Sequence, residues 1–402
     1  MKLTDVHISH YKSLSSVTLS LHPQVTVLVG PNAAGKSNFV DALRFLRDAA
    51  KDSLDHAVVA RGGLTRIRQS STGRPFNIGL GIDVLQSFDD HEDQPGSYSL
   101  DIASTGGNYR VEREEVVSNS EDYQQTDDED GGTAGWVLVT NNFLRERSGI
   151  VKDNGLETLT LPEEMHDQLA LGTTSDAFFF RARGELLHAF IERWKFSSLY
   201  PNTLRNLTTP DADGALREDG SNWASVIRAA RRTAKGKKML ERVNEMMRVV
   251  LPDFNEVSVT TAGSYLVPNF KFGNDKSNTR TFDPVQLSDG TLRIFGILLS
   301  LYQNPAPPLI VVEEPEQTVQ PGVLGMLAEA FKEVSENTQI IITTHSPQLI
   351  EHFAPENIRI VTMRDGLTHI APIKRSQQQA VRDGLMGLGE FMAAEGLQPE
   401  LL

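Results

Sequence analysis

The stretch Gly30-Pro31-Asn32-Ala33-Ala34-Gly35-Lys36-Ser37 fits the pattern G-x-x-x-x-G-K-[ST] of a phosphate-binding loop. In such a loop the glycines allow backbone conformations that turn successive N–H groups inward, where they hold anionic oxygens. Lys36 would place a positive charge beside the phosphates, and Ser37 would offer a hydroxyl to a bound Mg²⁺. The candidate binding residues are Gly30, Pro31, Asn32, Ala33, Ala34, Gly35, Lys36, Ser37 and Asn38.

The segments on both sides of this loop support a nucleotide site. Residues 25–29 are apolar and β-branched, which predicts a buried strand. After the loop, apolar residues at helical spacing predict a helix to about Arg47: Phe39, Val40, Leu43 and Leu46. Strand, glycine loop and helix together direct a helix N-terminus at phosphate. The alternative is a tight turn in an α/β fold, which leaves Lys36 without a role.

Composition limits the classes of protein that remain. The chain has 402 residues, no cysteine and a formal charge of −14. Disulfides, thiolate metal sites and thiol catalysis are therefore excluded, and the acidic balance argues against a protein that coats nucleic acid. The N-terminal residues lack a hydrophobic signal core, and no run of about eighteen apolar residues occurs. We expect a soluble, cytoplasmic protein with no membrane partner.

Alternation of apolar and polar residues predicts β structure on both sides of the loop–helix unit. Val6 and Ile8 alternate first, followed by Val17, Leu19 and Leu21, and then by residues 76–84. Residues 118–132 carry acidic side chains and almost nothing apolar, which is typical of a mobile, solvated loop. A metal site is the alternative for that segment.

From about residue 160 to 255 the pattern becomes helical. One side of a predicted helix carries Leu186, Leu187, Phe190, Ile191 and Trp194. The concentrated basic stretch of this acidic chain follows: Arg228, Arg231, Arg232, Lys235, Lys237, Lys238 and Arg242. These cations predict either a contact with a nucleic-acid backbone or a solvated helix face, and the sequence leaves both open.

A second group of motifs lies in the C-terminal third. Ser288 precedes an apolar helix that runs through Leu301, where it could be a simple helix cap. Four apolar residues, 309–312, lead into Glu313-Glu314-Pro315-Glu316, which predicts a buried parallel strand that delivers acids to its carboxyl end. The next predicted strand ends at Thr344-His345-Ser346-Pro347. A lone histidine is usually structural, but His345 follows the strand after the acidic one, which favours a functional role.

Read together, these motifs resemble the ATP-binding cassette (ABC) ATPases of the RecF/SMC-like group. The resemblance rests on Tyr11-Lys12-Ser13, the phosphate-binding loop, Arg61-Gly62-Gly63, the Ser288 segment, the acidic motif and the Thr-His-Ser-Pro motif. More narrowly, the chain looks like the stand-alone bacterial predicted-ATPase branch, which is related to the ATPase part of OLD-family proteins.

The resemblance implies that ATP and Mg²⁺ are bound between two copies of the head. The phosphate-binding loop of one copy would face the Ser288 segment of the other, so Ser288 and Gly290 would contact the γ-phosphate in trans. Ser37 and Glu313 match the residues that hold Mg²⁺. Gln69 matches the glutamine that couples Mg²⁺ to a helical lobe.

The resemblance also assigns the catalytic residues. Glu314 matches the acid that activates the attacking water, and His345 matches the switch histidine that senses the γ-phosphate. Phosphoryl transfer to water needs chiefly alignment, charge neutralisation and one base near the water, which agrees with this assignment. Two departures stand out, since Glu313 occupies a position that is often Asp, and residues 317–321 replace the usual Leu-His-Pro ending.

The implied fold is α/β: an ABC-type head with a mixed sheet, central parallel strands, flanking helices and an inserted, mostly helical lobe. We expect residues 1–155 and 256–402 to form the two halves of the head and residues 156–255 to form the lobe. No sustained heptads predict SMC arms between Ser37 and Ser288. Only about fifty-five residues follow His345, so we expect no OLD-type nuclease domain.

The expected function is an ATPase that dimerises, or forms a higher homo-oligomer, around ATP and Mg²⁺. In this group such closure drives DNA repair or defence against phage and foreign DNA, commonly with a separately encoded nuclease or effector. The alternative is a regulatory scaffold that controls a partner protein without touching DNA. A kinase is a third option, but no acceptor-substrate site is evident.

Overall fold

The computed structural model describes residues 1–70, 75–88, 91–105, 108–118, 121–126, 135–140, 143–146, 150–152, 158–160, 169, 186–211, 214–273 and 279–400. Contacts within the chain define two compact units. The first contains Met1–Pro23, Ala33–Arg193 and Val361–Ile370, and the second contains Gln24–Asn32, Trp194–Ile360 and Ala371–Leu402. The chain therefore passes between the units inside the phosphate-binding loop.

The strands, in chain order, are β1 (Lys2–Tyr11), β2 (Leu14–Ser20), β3 (Val25–Val29), β4 (Ile78–Phe88), β5 (His91–Thr105), β6 (Asn108–Ser118), β7 (Glu121–Thr126), β8 (Gly135–Thr140), β9 (Phe143–Glu146), β10 (Ile150–Lys152), β11 (Thr158–Thr160), β12 (Lys195–Ser197), β13 (Phe254–Ala262), β14 (Tyr265–Phe272), β15 (Arg280–Phe282), β16 (Leu309–Glu313), β17 (Gln339–Thr344), β18 (Ile358–Arg364) and β19 (Leu367–Pro372).

The α-helices are α1 (Lys36–Lys51), α2 (Leu54–Val59), α3 (Leu64–Ile67), α4 (Pro201–Arg205), α5 (Trp223–Ala230), α6 (Ala234–Val250), α7 (Asp289–Leu301), α8 (Leu324–Val334), α9 (Pro347–Ile350), α10 (Arg375–Arg382) and α11 (Leu388–Ala394). Residues 186–192 are also helical. Within the described ranges, no helix is long and apolar enough to cross a membrane.

The first unit is built on an antiparallel sheet. Its strand order is β11-β10-β9-β6-β5-β4-β1-β2. Val6 lies opposite Leu19 of β2 and Ile82 of β4, and all three side chains are buried. One face of these strands is therefore apolar, as the alternating pattern predicts. Helix α1 begins at the phosphate-binding loop and buries Phe39, among other apolar residues.

The second unit is built on parallel strands in the order β12-β16-β17-β3-β18, with β19 next to β18. Every residue of β3 and β17 is buried. This burial is typical of parallel strands that are covered on both faces, and it explains why their sequences are mostly apolar. Residues 361–370 of the last two strands are assigned to the first unit. Strands β13, β14 and β15 form a separate three-stranded sheet.

Aromatic side chains form the centre of the second unit's core. The ring centroid of Phe295 in α7 lies 5.0 Å from that of Phe270 and 5.3 Å from that of Trp223. All residues of α7 from Leu292 to Leu301 are buried. A helix that is apolar on all sides belongs in a core, and this burial fixes the helix that begins at the Ser288 segment.

The structure corrects two expectations. Residues 121–126 of the predicted loop form strand β7, paired with β8, while residues 119–120 and 127–132 lie outside the described part of the chain. Leu186 is 52% exposed, although Leu187, Phe190, Ile191 and Trp194 are buried as expected. The helical block also contains strand β12. The three-part division of the chain near residues 155 and 255 stays a prediction.

Candidate nucleotide-hydrolysis site

The phosphate-binding loop enters the first unit at Ala33 and leads directly into α1 at Lys36. Gly35, at the N-cap, has a φ of 104°, in the left-handed region that glycine adopts without strain. No side chain caps this helix, and its first turn contains no acidic residue. The N-terminal end of this 16-residue helix therefore keeps the partial positive charge that attracts phosphate.

A chain of hydrogen bonds holds the loop from behind. Asn38 Nδ2 donates to Ser13 Oγ (2.7 Å), Ser13 Oγ lies 2.6 Å from Thr368 Oγ1, and Thr368 Oγ1 donates to Ala34 O (3.1 Å). Because Thr368 has one hydroxyl proton, the Ser13 hydroxyl must donate to Thr368. A Cβ on Gly35 would come within 1.9 Å of Thr368 Oγ1. Thr368 therefore both anchors the loop and requires a glycine there.

The Tyr-Lys-Ser and Arg-Gly-Gly motifs meet at Asp41 of α1. Asp41 accepts hydrogen bonds from Tyr11 Oη (2.7 Å), Lys12 Nζ (2.5 Å) and Arg61 Nε (2.9 Å). Arg61 Nη2 also donates to Asp48 at 3.0 Å. Burial opposes ionisation of Asp41, but the hydrogen bond from Lys12 and the charge of Arg61 outweigh it and lower the pKa of this carboxyl. Both motifs thus fix α1 in place.

Gln69, matched to a Mg²⁺-coupling glutamine, lies beside the end of β1. Its Oε1 is 3.0 Å from His10 Nδ1, and its N–H donates to His10 O at 2.9 Å. The His10 ring stacks on Phe76 with the ring centroids 4.2 Å apart. These contacts hold the segment that carries Gln69 against β1. Its role at Mg²⁺ stays a prediction.

In the second unit, three predicted site segments end side by side. Strands β16, β17 and β3 are parallel neighbours, and Thr344 lies opposite Val29. The residue that follows each strand is Glu314, His345 and Gly30, respectively. Carboxyl ends of parallel strands share one edge of the sheet, where α/β folds bind ligands. The structure thus brings together Glu314, His345 and the start of the phosphate-binding loop, while the catalytic roles of the first two stay predictions.

The acids at this edge have specific partners. Ser198 Oγ donates to Glu313 Oε1 at 3.4 Å. Gln317 Nε2 donates to Glu314 Oε2. His345 Nδ1 lies 3.8 Å from Glu314 Oε1, so the proposed base and the switch histidine are adjacent.

Arg293 of α7 fixes the backbone of the acidic motif. Its Nη2 donates to the carbonyl oxygens of Glu313 (2.8 Å) and Glu314 (3.2 Å), and the residue is 4% exposed. Glu314 has a φ of 44°, which is an unfavourable backbone conformation for a residue other than glycine. The two hydrogen bonds from Arg293 help to hold this conformation. Burial lowers the pKa of Arg293, and the charges of nearby acids, Glu316 and Glu314 among them, oppose this shift. The sequence analysis missed Arg293.

The Ser288 segment forms the start of α7. Ser288 is the N-cap, and its Oγ accepts a backbone N–H of the first turn. A Cβ on Gly290 would lie 2.5 Å from Thr318 O, so only glycine fits against the loop after the acidic motif. Arg205 forms a 2.6 Å ion pair with Asp289. Ser288 is therefore a helix cap here, and its contact with a γ-phosphate in trans stays a prediction.

Each unit carries groups of the kind that a magnesium nucleotide needs. In the first unit these are the hydroxyl of Ser37, an oxygen ligand of the type that Mg²⁺ prefers, and the cation of Lys36, which is 5% exposed. In the second unit, the carboxylate of Glu313 is also an oxygen ligand. Mg²⁺ commonly takes only one or two protein ligands and fills its remaining positions with phosphates and water. Within the described part of the chain, no group of three or more His, Asp or Glu side chains is arranged to hold a metal ion.

The basic stretch is partly neutralised. Arg231 forms a 2.8 Å ion pair with Glu256, and Arg242 hydrogen-bonds Glu333 at 2.9 Å. Within the described part of the chain, the remaining cations show no ion pair: Arg228, Arg232, Lys235, Lys237 and Lys238. The part of the stretch that is open to a polyanion is therefore smaller than the sequence implies.

Residues 25–351 match the family described as "AAA domain, putative AbiEii toxin, Type IV TA system". The chain belongs to this family. The matched range starts at β3 and extends past His345, so it contains β3, β16 and β17, the strands that Gly30, Glu314 and His345 follow. The predicted membership in the RecF/SMC-like, ABC-type group is confirmed. The relation to OLD-family proteins stays a prediction.

Two named relatives differ in how much of them is matched. This AAA-family chain is 22% identical to the retron Ec83 probable ATPase of Escherichia coli, over 92% of this chain and 73% of that protein. It is 41% identical to the DNA replication and repair protein RecF of Anaeromyxobacter sp. (strain K) over 46 residues, which is 11% of this chain and 12% of RecF. The likeness to RecF therefore concerns one short segment.

Solved SMC heads share the fold. An SMC head bound to the C-winged helix domain of ScpA matches with a TM-score of 0.55 and 13% identity, covering 94% of this chain and 99% of that one. An SMC head with an extended coiled coil, bound to the C-terminal domain of ScpA derived from Pyrococcus furiosus, gives 0.55 and 11% identity, covering 96% and 99%. The predicted α/β, ABC-type fold is confirmed, and at these identities the likeness concerns the fold alone.

Proposed function

We propose that this protein binds ATP with Mg²⁺, closes into a dimer around two nucleotides and opens when it hydrolyses them. The observation that best supports this proposal is the edge of the parallel sheet where Glu314, His345 and Gly30 follow neighbouring strands. A base, a second titratable group and the start of a phosphate-binding loop are the parts that phosphoryl transfer to water requires.

Each residue then has a defined task. Lys36 and the N-terminus of α1 neutralise the phosphates, and Mg²⁺, when held by Ser37 and Glu313, supplies further positive charge. Glu314 orients the attacking water and accepts its proton. His345 contacts the γ-phosphate from the next strand.

The Ser288 segment of the second copy completes each site. Ser288 and Gly290 reach the γ-phosphate bound by the first copy, so hydrolysis depends on closure of the dimer. Arg293 lies on α7, the helix that begins at the Ser288 segment, and holds the backbone of Glu314. In each copy, the segment that contacts the partner's nucleotide is therefore connected to the acid that acts on the copy's own nucleotide.

In the cell, we infer a role in DNA repair or in defence against phage and foreign DNA, together with a separately encoded effector or nuclease. The family description names a putative toxin of a type IV toxin–antitoxin system, and the likeness to a retron ATPase covers most of the chain. We place the protein in the cytoplasm.

The test of the ATPase dimer uses Glu314→Gln. This change keeps the size and the hydrogen-bonding shape of the side chain but removes the base, so we expect hydrolysis to slow by about a hundredfold or more. ATP should still bind, and the variant should accumulate as a dimer in analytical ultracentrifugation. Lys36→Ala serves as the control that cannot bind ATP productively. A monomeric Glu314→Gln protein at saturating ATP would contradict the dimer.

The second candidate function is a scaffold that regulates a partner protein without touching DNA. The ion pairs of Arg231 and Arg242 favour it, since they neutralise part of the basic stretch. Hydrolysis should be measured across titrations of linear duplex and single-stranded DNA, with Lys36→Ala as the blank. Stimulation absent from the blank supports direct DNA contact, and a flat, low rate supports the scaffold.

Charge reversal at Arg232, Lys237 and Lys238 separates the two candidates further. A DNA contact predicts weaker and less salt-dependent DNA binding in this variant, because fewer counterions are released. Charge reversal of Lys332, which pairs with Glu329 on α8, is the control for a reversed lysine outside the basic stretch. Equal DNA binding by both variants would exclude the basic stretch as the DNA contact.

A further inference from the structure

Glu316, the third acid of the Glu-Glu-Pro-Glu motif, has no task in the mechanism above. Its side chain is 9% exposed. Its Oε1 accepts hydrogen bonds from Thr344 Oγ1 (2.6 Å) and from the backbone N–H of His345 (3.0 Å). The same oxygen lies 3.4 Å from His345 Nδ1. One carboxylate oxygen therefore touches both the backbone and the ring of the switch histidine.

The segment around His345 is also held from its other side. Thr344 Oγ1 accepts the N–H of Ser346 at 3.0 Å, and Ser346 Oγ caps α9 by accepting the N–H of Leu349 at 3.2 Å. With its backbone fixed in this way, His345 keeps freedom only in its side chain, which is 45% exposed. The contact that sets the orientation of the ring is the one between Nδ1 and Glu316.

The second oxygen of Glu316 indicates that the charge itself matters. Oε2 is buried and has no hydrogen-bond partner in the described part of the chain. A buried, unpaired carboxylate oxygen is costly, and one neutral acceptor oxygen would be enough to receive Thr344 Oγ1 and the N–H of His345. Hydrogen bonds to Thr344 and to the backbone of His345 do not require an ionised acceptor. A hydrogen on Nδ1 of the imidazole, in contrast, is stabilised by the full negative charge of a neighbouring carboxylate.

We propose that Glu316 is a positioning residue that keeps the proton of neutral His345 on Nδ1 and presents Nε2 to the γ-phosphate and the attacking water. Among the described residues, none hydrogen-bonds Nε2. Which ring nitrogen carries the proton is set by the partner of the other nitrogen, so Glu316 decides what Nε2 can do. Only the role of Nε2 in hydrolysis rests on the proposed function, since the tautomer is a property of the protein without nucleotide.

The direct test is the tautomer of His345, read from long-range ¹H–¹⁵N spectra of the full chain. His345→Gln assigns the signals among the ten histidines. We expect the Nδ1–H form in the wild type and a smaller share of it in Glu316→Gln, because the amide oxygen that keeps the two donors stays beside Nδ1 but carries no negative charge. A wild-type His345 with its proton on Nε2 overturns the proposal, even if Glu316→Gln does not fold.

The matched control is Glu351→Gln. Glu351 also accepts a backbone N–H, from Gly389 at 2.5 Å, but it is not part of the site. We expect Glu316→Gln to lower kcat about tenfold to a hundredfold with KM within about threefold, as for the loss of a carboxylate that orients a histidine. Glu351→Gln should leave both constants near the wild-type values.

The two kinds of failure are distinguishable. A Glu316→Gln protein with the wild-type share of the Nδ1–H tautomer and the kcat of Glu351→Gln would overturn the positioning role. A wild-type protein that shows the Nδ1–H tautomer but hydrolyses no ATP would refute the proposed function and leave the role of Glu316 in setting the tautomer intact.

Discussion

Replacing Thr368 by valine should release the phosphate-binding loop while preserving its shape. The change removes the hydroxyl that joins Ser13 to Ala34, and with it hydrogen bonds of 2.6 Å and 3.1 Å. Thr368 is 2% exposed, so the Ser13 hydroxyl and the Ala34 carbonyl lose a buried partner. Each lost bond costs about 1 kcal/mol net, and more where the remaining group stays unsatisfied. We expect the free energy of unfolding to fall by about 2–4 kcal/mol.

The effect on ATP follows from the same contacts. If about 1.4 kcal/mol of the loss is specific to the loop conformation that binds phosphate, the Kd for ATP rises about tenfold. The measurements are titration with a fluorescent ATP analogue and the melting temperature of the nucleotide-free protein. Both apply to the full chain and need no hydrolysis.

The matched control is Thr362→Val in β18. Thr362 Oγ1 is buried and has no partner within the described ranges, so this variant removes a hydroxyl without breaking a hydrogen bond. We expect it to be neutral or slightly more stable. If Thr368→Val binds ATP as tightly as Thr362→Val and melts at the same temperature, the hydrogen-bond chain does not anchor the loop.

Three further variants test other contacts. Gly35→Ala should abolish ATP binding, because its Cβ would overlap Thr368 and its φ of 104° strains any other residue; binding within about threefold of wild type would contradict this. Asp41→Asn should lower the melting temperature at neutral pH, with the difference shrinking as the pH falls below about 4, because a lowered pKa stabilises the fold only while the carboxyl is ionised. A difference that grows with acid would refute the ion pairs. Arg293→Met removes the nitrogen that donates to both carbonyls, so kcat should drop about tenfold or more at unchanged ATP affinity, and an unchanged kcat in single-turnover assays would remove Arg293 from the site.

Local patterns predicted the parts of the fold that depend on local sequence. The run around Val27 predicted a buried strand, the run around Val311 predicted a buried parallel strand, and the alternation at Val6 and Ile8 predicted another strand, because the spacing of apolar residues is visible in neighbouring positions. The prediction of a loop in the acidic segment was wrong because it, too, relied on local sequence alone. Its composition predicts solvation, yet residues 121–126 pair with β8, and strand pairing with a partner depends on more than the segment's own polarity.

The contacts that organise the site could not be predicted, because they join distant residues. Thr368 acts on Ala34 across 334 positions and carries no motif of its own. Glu316 belongs to a recognised motif, but its partners Thr344 and His345 lie 28 and 29 positions away. Its role could not be predicted without knowing that β16 pairs with β17. Arg293 lies within an apolar helix, and a charged residue in such a run is the one signal that pointed to a buried polar contact.

The reach of Thr368 also has a consequence for synthesis of the chain on the ribosome. Ser13 and the loop emerge early, but the hydroxyl that connects them is added only when residue 368 has been translated. Strand β3, which delivers the loop, likewise pairs with β17 and β18, both of which come from the last quarter of the sequence. Contacts of such long sequence separation form late. A nascent chain therefore cannot assemble its nucleotide site before it is nearly complete, and truncated products should be unable to hold ATP.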